Sequence, residues 1–404
     1  MNLISLRLKK DFNRWMDPIG CNCKCDCHGG FDNTIYPGDT FIFGMMGEHY
    51  TFSNINNGTL PYGIEKALFG DNAIIALFKN GSVKMYNGRV GDLGGMNLCG
   101  SCNHEAARRI CYGYEHIVKV PKIVSIAAGN GYYLLVDEEG CVWTFGMNNY
   151  GQLGQSSKEI CIVDPMKIPK VEDAKEVFAG HDHSAILLKN GNVLIFGKNK
   201  NSELGMLQIN KIITPTPNDV LSNGKRIKKI CFGYEHTVAL DEDGKIWVAG
   251  FNTYGQLGIP EVAKLTEFIQ LGAIPERATD IDTGKYHNVV LTEQGNVYVF
   301  GRNDYGQLGV GHKNNVTEPC KLNMTMKVIQ ICTSDTVTLF RCDDGCFYLA
   351  GYGGNQFRDV VKPPYLCSRE PKKIEFCTER LKGRHGFQIV DLTNKYFIVK
   401  VSNW

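Results

Sequence analysis

The sequence predicts an all-β fold: a seven-bladed β-propeller, closed by pairing of its N- and C-terminal segments, with a short helical, cysteine-rich N-terminal arm. The main observation is a repeated segment. VWTFGMNNYGQLG at 142–154 returns as IWVAGFNTYGQLG at 246–258 and as VYVFGRNDYGQLG at 297–309, with a weaker copy, VLIFGKNKNSELG, at 193–205. Self-similarity at a fixed period of about fifty residues is typical of a repeat architecture.

Each copy begins with a glycine and contains a strand, a turn and a second strand. The starting glycines, Gly129, Gly180, Gly233 and Gly284, are 51, 53 and 51 residues apart. In HSAILLKNGNVLIFG, apolar segments flank Asn-Gly, which predicts a hairpin with a two-residue turn. A unit of short strands buries its faces only against similar units, and radial stacking of such units produces a propeller.

Counting the units predicts seven blades. Starts at 70, 129, 180, 233, 284, about 333 and about 383 make seven. The last unit contains FQIVDLTNKYFIVKV at 387–401 but ends before a GQLG turn, while DTFIFG at 39–44 supplies the missing strand. Pairing these segments closes the ring and removes open sheet edges. We therefore expect two parts, an arm at 1–30 and a propeller at 31–404.

The repeat resembles that of the regulator-of-chromosome-condensation family. The shared pattern is G-x-x-H-(S/T), then D-x-G-x-(V/I)-(W/Y), then G-x-N-x-x-G-Q-L-G, over roughly residues 38–401. Tyr132 replaces the first histidine, and GYGGNQF at 351–357 departs from GQLG. The resemblance implies a seven-bladed propeller. The founding member promotes nucleotide exchange on the GTPase Ran and binds nucleosomes, and other members are protein-interaction modules. It therefore implies a binding surface and not one activity.

Composition limits the classes of function and the cellular locations that we expect for the protein. The chain has 404 residues, 43% of them hydrophobic, and a formal net charge of +2, which disfavours a general polyanion binder. The sequence has no run of about 18 apolar residues, so no membrane helix is predicted. The charges in MNLISLRLKKDFNRW disfavour a signal peptide. We expect an intracellular protein, cytoplasmic or nuclear, with a virion as the alternative.

The N-terminal arm lies outside the repeat. Ile4, Leu8, Phe12 and Trp15 have helical spacing beside several basic residues, which predicts a short amphipathic helix. Three interpretations stay open for this helix: packing on the propeller, docking of a partner or second copy, and binding at a membrane surface.

Two cysteine clusters are candidate metal sites, a soft-metal site in the arm and a zinc site in an enlarged unit. In the arm, alternating thiols precede a histidine: Cys21, Cys23, Cys25, Cys27 and His28. In an enlarged unit, a C-x-x-C motif has a histidine and a third thiol nearby: Cys99, Cys102, His104 and Cys111. The second set suits tetrahedral zinc, whereas C-x-C spacing is not typical of structural zinc. Disulfides and free thiols remain the alternatives for both.

The repeated polar residues favour structural roles. His183, His236 and His287 occupy one repeat position, so a ring separates them, and we expect them to bond backbone groups within their own blades. The repeated asparagines are expected to fix loops: Asn148, Asn199, Asn252 and Asn303. No nucleotide-binding, zinc-protease or hydrolase motif appears, so we predict a protein that is not an enzyme.

Two basic clusters are candidates for nucleic-acid contact. They comprise Lys225, Arg226, Lys228, Lys229, Lys372 and Lys373. Solvated loops are the alternative, and any such binding should be weak and salt-sensitive.

Three functions therefore stay open. The first is a scaffold that binds another protein, or itself, through the propeller faces or the arm. The second is a guanine-nucleotide exchange factor for a Ran-like GTPase. The third is an architectural, nucleic-acid-packaging or virion protein.

Overall fold

The computed structural model describes residues 40–44, 59–60, 64–70, 73–87, 115–207, 210–352, 368–374, 387–392 and 396–401. Within these ranges the chain forms seven four-stranded antiparallel sheets and one four-residue helix, which confirms the all-β class. No described helix is long and apolar enough for a membrane span. The predicted arm at 1–30 lies outside the described residues.

Six sheets are formed by consecutive strands. After β1 (Thr40–Gly44) and β2 (Thr59–Leu60), blade 1 contains β3 (Ile64–Gly70), β4 (Ala73–Phe78), β5 (Val83–Asn87) and β6 (Glu115–Val118). Blade 2 contains β7 (Ile123–Ala128), β8 (Tyr132–Asp137), β9 (Val142–Met147) and β10 (Cys161–Lys167). Blade 3 contains β11 (Ala174–Ala179), β12 (His183–Leu188), β13 (Val193–Lys198) and β14 (Lys211–Pro217), followed by α1 (Asp219–Ser222).

The remaining strands complete the set. Blade 4 contains β15 (Ile227–Phe232), β16 (His236–Asp241), β17 (Ile246–Phe251) and β18 (Lys264–Leu271). Blade 5 contains β19 (Ala278–Thr283), β20 (His287–Thr292), β21 (Val297–Gly301) and β22 (Val316–Lys321). Blade 6 contains β23 (Val328–Thr333), β24 (Val337–Cys342), β25 (Phe347–Gly351) and β26 (Ser368–Ile374). The last strands are β27 (Phe387–Leu392) and β28 (Tyr396–Val401).

Blade 7 combines both ends of the chain. Its strand order is β2-β1-β28-β27, with Thr40 opposite Lys400 and Gly44 opposite Tyr396. This is the strand pairing that the sequence predicts. Closure of the whole ring stays a prediction, because the segments that link blade 7 to its neighbours lie partly outside the described residues.

The hairpin turns differ in detail from the expectation. Residues 189–192 connect β12 to β13, so the connection is longer than the predicted two-residue turn. The Gly191 N–H donates to the Leu188 carbonyl at 2.9 Å, and Gly191 alone in this turn has positive φ, +89°. Asn-Gly fits this longer turn equally well, because glycine tolerates the left-handed region that ends it.

The core lies between the blades. In one apolar cluster, Tyr132 and Leu134 of blade 2 pack with Ile186 and Phe196 of blade 3, and all four are buried. The first strands of neighbouring blades also lie side by side, as β7 does with β11 and β15 with β19. Each sheet therefore buries its faces against the next blade, as the repeat requires.

Two of the repeated histidines, His236 and His287, bond to the neighbouring blade, which corrects the bonds expected within each blade. The third, His183, packs edge-on against Phe232 of blade 4, with ring centroids 4.6 Å apart. Nε2 of His236 lies 2.8 Å from Oδ1 of Asn288 in blade 5, and Nε2 of His287 lies 3.1 Å from Oγ1 of Thr338 in blade 6. Burial lowers the pKa of His236 to about 4 and that of His287 to about 3, so both rings are neutral near pH 7. Each ring accordingly serves as a buried hydrogen-bonding group.

The same partner residues reach back to the GQLG turns. Nδ2 of Asn288 donates to the Gln256 carbonyl at 2.7 Å, and Oγ1 of Thr338 donates to the Gln307 carbonyl at 2.7 Å. Blade 2 repeats the pattern with different residues, since Oγ of Ser184 donates to the Gln152 carbonyl at 2.9 Å. We call these contacts the interblade relay. It ties the last loop of one blade to the second strand of the next.

The relay generates a stability prediction at Asn288. Asn288→Val should lower the free energy of unfolding by about 1–3 kcal/mol, because the Gln256 carbonyl and the His236 ring lose their buried partner. Asn288→Thr has nearly the same shape as Asn288→Val but supplies a hydroxyl, as Thr338 does in blade 6, and should cost clearly less. Urea unfolding of both variants measures the difference. Equal losses would show that the hydrogen bonds contribute nothing.

The buried histidines generate a pH prediction. Because their pKa values lie below the unfolded value of 6.5, the unfolded chain binds more protons below that pH. Their contribution to stability is complete above pH 6.5 and declines as the pH falls through the folded values, by up to about 1.4 kcal/mol per pH unit for each ring. His287→Asn should flatten the slope of urea midpoint against pH between 6.5 and 4, whereas replacing the exposed His312 should not. Unchanged slopes in both variants would contradict the assignment.

Candidate interaction surface on the loop face

Two sets of loops leave the blades on one side of the described propeller. The loop between the first and second strands and the loop between the third and fourth strands lie at the same end of an antiparallel sheet. In blade 4 these are residues 233–235 and 252–263, and blades 2, 3 and 5 have the equivalent pairs. We call this side the loop face. The hairpin turns between second and third strands lie on the opposite face.

The repeated asparagines fix the longer loops, as the sequence predicts. Their Oδ1 atoms accept from the N–H of the leucine five residues later, at 3.2 Å for Asn148, 2.9 Å for Asn199, 2.7 Å for Asn252 and 3.0 Å for Asn303. Their Nδ2 groups donate to loop carbonyls, such as that of Met206, 2.8 Å from Asn199. The loop face therefore has a rigid base.

A cluster of aromatic rings covers this base across blades 3 to 6. Ring centroids are 4.6 Å apart for His181 and Tyr234, 5.8 Å for Tyr234 and Tyr286, and 5.0 Å for Tyr286 and Tyr254. A second pair, Tyr305 and Tyr352, stacks at 5.7 Å. Most of these rings are half-buried, and 38% of Tyr352 is exposed.

Three basic side chains lie over these rings. The Lys285 ammonium is 4.7 Å from the centroid of Tyr234 and 5.9 Å from that of Tyr286. The Arg302 guanidinium is 5.0 Å from the Tyr254 ring, and it also contacts the rings of Tyr286 and Tyr305, at 5.9 Å and 5.8 Å. The Arg302 contacts join the two groups of rings.

The third cation, Lys198, also has a buried partner. Its ammonium lies 4.9 Å from the Tyr234 centroid and 3.8 Å from Oε1 of Glu203. Glu203 stands where blades 2, 4 and 5 have glutamine, and burial raises the pKa of its carboxyl group. We call the tyrosines, His181 and the three cations the aromatic–cation cluster.

Most members of the cluster occupy positions whose residue type varies between repeat units. Lys198 and Arg302 precede the repeated asparagine, where Met147 and Phe251 stand in the other units. Of the other members, four lie one or two residues after a starting glycine and two precede a GQLG turn, whereas Tyr352 follows Gly351 at the end of β25. These side chains were not predicted as a site, because most of their positions carry no recurring residue type. The available signal was the concentration of tyrosine and cations at the changing positions.

The candidate metal-binding residues lie outside the described residues, and both metal sites stay predictions. They are Cys21, Cys23, Cys25, Cys27, His28, Cys99, Cys102, His104 and Cys111. Among the described residues, no group of three or more histidine, cysteine, aspartate or glutamate side chains is arranged to hold a metal ion.

The structure keeps the two basic clusters apart. Lys225, Arg226, Lys228 and Lys229 lie at the start of blade 4, whereas Lys372 and Lys373 lie on β26 of blade 6. In the first cluster, Lys225 lies 4.5 Å from the Trp247 ring centroid, and Lys229 lies 2.9 Å from Asp280. Arg226 forms an ion pair with Glu242 at 3.3 Å, and Lys228 donates to the Thr279 carbonyl at 2.6 Å. Nucleic-acid contact by these residues stays a prediction.

Comparison with known proteins identifies the family. The model of the RCC1-like domain matches residues 87–382. The Regulator of chromosome condensation of Xenopus laevis is 30% identical over 349 residues, which cover 66% of this chain and 82% of the frog protein. The Ultraviolet-B receptor UVR8 of Arabidopsis thaliana is 28% identical over 267 residues, which cover 63% of this chain and 58% of the receptor.

A solved structure supports the fold. The crystal structure of Prp20p from Saccharomyces cerevisiae, reported with its binding properties to Gsp1p and histones, has a TM-score of 0.70 at 20% identity. The match covers 92% of this chain and 93% of Prp20p. The resemblance inferred from the repeats is therefore confirmed, and the chain belongs to the RCC1-like domain family.

Proposed function

We propose that this chain is a non-enzymatic scaffold that binds another protein through the aromatic–cation cluster of its loop face. The observation that carries the proposal is the concentration of half-exposed tyrosines and cations on one side of four blades. Tyrosine and arginine are enriched among the residues that dominate binding energy at protein interfaces.

Rigidity of the base supports this role. The asparagine contacts and the interblade relay hold the loops, and the rings restrict the lysine and arginine side chains that lie over them. Binding to a surface whose side chains are already ordered loses less conformational entropy. An RCC1-like propeller accordingly presents variable side chains on a constant frame. Self-assembly through the N-terminal arm and an intracellular location remain parts of the proposal that rest on sequence alone.

A second candidate is nucleotide exchange on a Ran-like GTPase. This candidate is supported by the 30% identity to the Regulator of chromosome condensation of Xenopus laevis, because the match covers 82% of the length of that protein. The reported binding of Prp20p to Gsp1p shows a protein partner for another chain of this fold. At 20% identity, the match with Prp20p supports only the fold of the present chain. The enlarged unit at 95–116, which contains the C-x-x-C motif, lies mostly outside the described residues, so a contact of this unit with the GTPase stays a prediction.

The scaffold proposal predicts partners that depend on the cluster. After cross-linking in the cells that produce the protein, at least one co-purifying protein should fall by about fivefold or more with Tyr254→Ala and with Arg302→Ala. Tyr150→Ala is the matched control, because Tyr150 occupies the same repeat position in blade 2 outside the cluster. Lys245→Ala tests the opposite face. Quantitative mass spectrometry measures recovery, and a partner set unaffected by the cluster variants would exclude this surface.

The exchange candidate predicts catalysed release of nucleotide. The purified chain should accelerate release of a fluorescent GDP analogue from Ran by about tenfold or more over spontaneous release, because an exchange factor stabilises the nucleotide-free GTPase. Stopped-flow fluorescence with an unrelated GTPase as control measures this. Release at the spontaneous rate would eliminate the second candidate and leave the scaffold proposal intact.

A further inference from the structure

Part of the aromatic–cation cluster, formed by Lys285, Arg302 and three tyrosines, offers hydrogen-bond donors that the described residues leave without acceptors. No described carboxylate lies within ion-pair distance of the Lys285 ammonium, which faces two tyrosine rings. Arg302 donates from Nε to Asp304 at 2.7 Å, and its terminal nitrogens have no acceptor among the described residues. A guanidinium offers five N–H donors in a planar fork that matches a carboxylate.

The tyrosine hydroxyls add to this donor set. Within the described part of the chain, the hydroxyl groups of Tyr234, Tyr254 and Tyr286 bond to no protein acceptor. Burial, together with the Glu235 carboxylate, raises the pKa of Tyr286 to about 12, so its hydroxyl keeps its proton at neutral pH. Phenol O–H groups and cations on one surface both suit oxygen anions as ligands.

The acidic residues on the loop face favour side-chain carboxylates over nucleic-acid phosphates as the bound oxygen anions. Glu235, Asp304 and Asp335 lie on the same face, and the last two are exposed. A nucleic acid strand carries a charge at every residue and would meet these carboxylates, whereas separate side-chain carboxylates can avoid them. Lysine and arginine already occupy places over the rings where bases would stack. Isolated carboxylates on a protein fit this surface better than a polyphosphate.

We propose that the loop face recognises an acidic protein segment, whose spaced aspartate or glutamate carboxylates bind Lys285, Arg302 and the neighbouring tyrosine hydroxyls. This inference rests on the proposed scaffold function and names the chemistry of its partner. The aromatic rings supply apolar contact area and hold the cations in place, so that the acidic segment meets an ordered set of donors.

The test uses fluorescence anisotropy with the full chain and labelled peptides. A peptide of alternating glutamate and glycine should bind about tenfold or more tightly than the same peptide with glutamine, and binding should weaken as salt rises. Lys285→Glu should weaken binding of the acidic peptide by about tenfold or more. Lys245→Glu makes the same charge change on the opposite face and should leave binding unchanged.

Further variants and probes keep the result decisive. Lys285→Gln removes the positive charge and Tyr254→Phe removes one hydroxyl donor, each with little change in shape, and circular dichroism checks that every variant is folded. Equal binding of the glutamate and glutamine peptides would overturn the inference, as would equal losses in Lys285→Glu and Lys245→Glu. Tighter binding of labelled oligothymidylate, lost in Lys285→Glu, would replace the acidic segment with a nucleic acid. Cluster-dependent recovery of a cellular partner without binding of the acidic peptide would sink this inference alone and leave the scaffold proposal standing.

Discussion

The hydrogen bond between a blade's GQLG turn and the second strand of the next blade is the contact on which the loop face depends. The Gln256 carbonyl lies on a loop, and Asn288, which donates to it, lies on a buried strand of the following blade. Apolar packing between sheets is non-directional and tolerates sliding. Directed bonds to a buried side chain fix the height and rotation of each blade relative to its neighbour, and with them the positions of the loops.

Glycine makes this close approach of loop and strand feasible. A Cβ at Gly250 would lie 2.5 Å from the Glu235 carbonyl, and the backbone there has φ of +106°. A Cβ at Gly233 would lie 2.0 Å from the His236 ring, which bonds to blade 5. A side chain at either position would displace the loop or the histidine that the relay uses, and the same close packing explains why these glycines recur in the well-formed units.

Sequence reasoning recovered what recurs and missed what changes. The blades, the loop-fixing asparagines and the pairing of Thr40–Gly44 with Tyr396–Val401 follow from local patterns and period. The partners of the histidines did not, because they lie 51 or 52 residues away, in the next blade, and alternate between Asn288 and Thr338. The aromatic–cation cluster was missed for a related reason: apart from the tyrosine that recurs before GQLG, its members share a place in space but no repeated residue type.

Blade 3 shows how the constant frame and the variable surface are connected. Its turn contains Glu203 where the other well-formed units have glutamine, and Thr237 of blade 4 still donates to the Glu203 carbonyl, so the relay is retained. The added carboxylate lies beside Lys198, whose ammonium in turn lies over Tyr234 of the cluster. Replacing an amide by an acid buries a charge that lysine offsets, and this places a cation against a surface ring. A single departure from the repeat therefore takes part both in the interblade relay and, through Lys198, in the aromatic–cation cluster of the loop face.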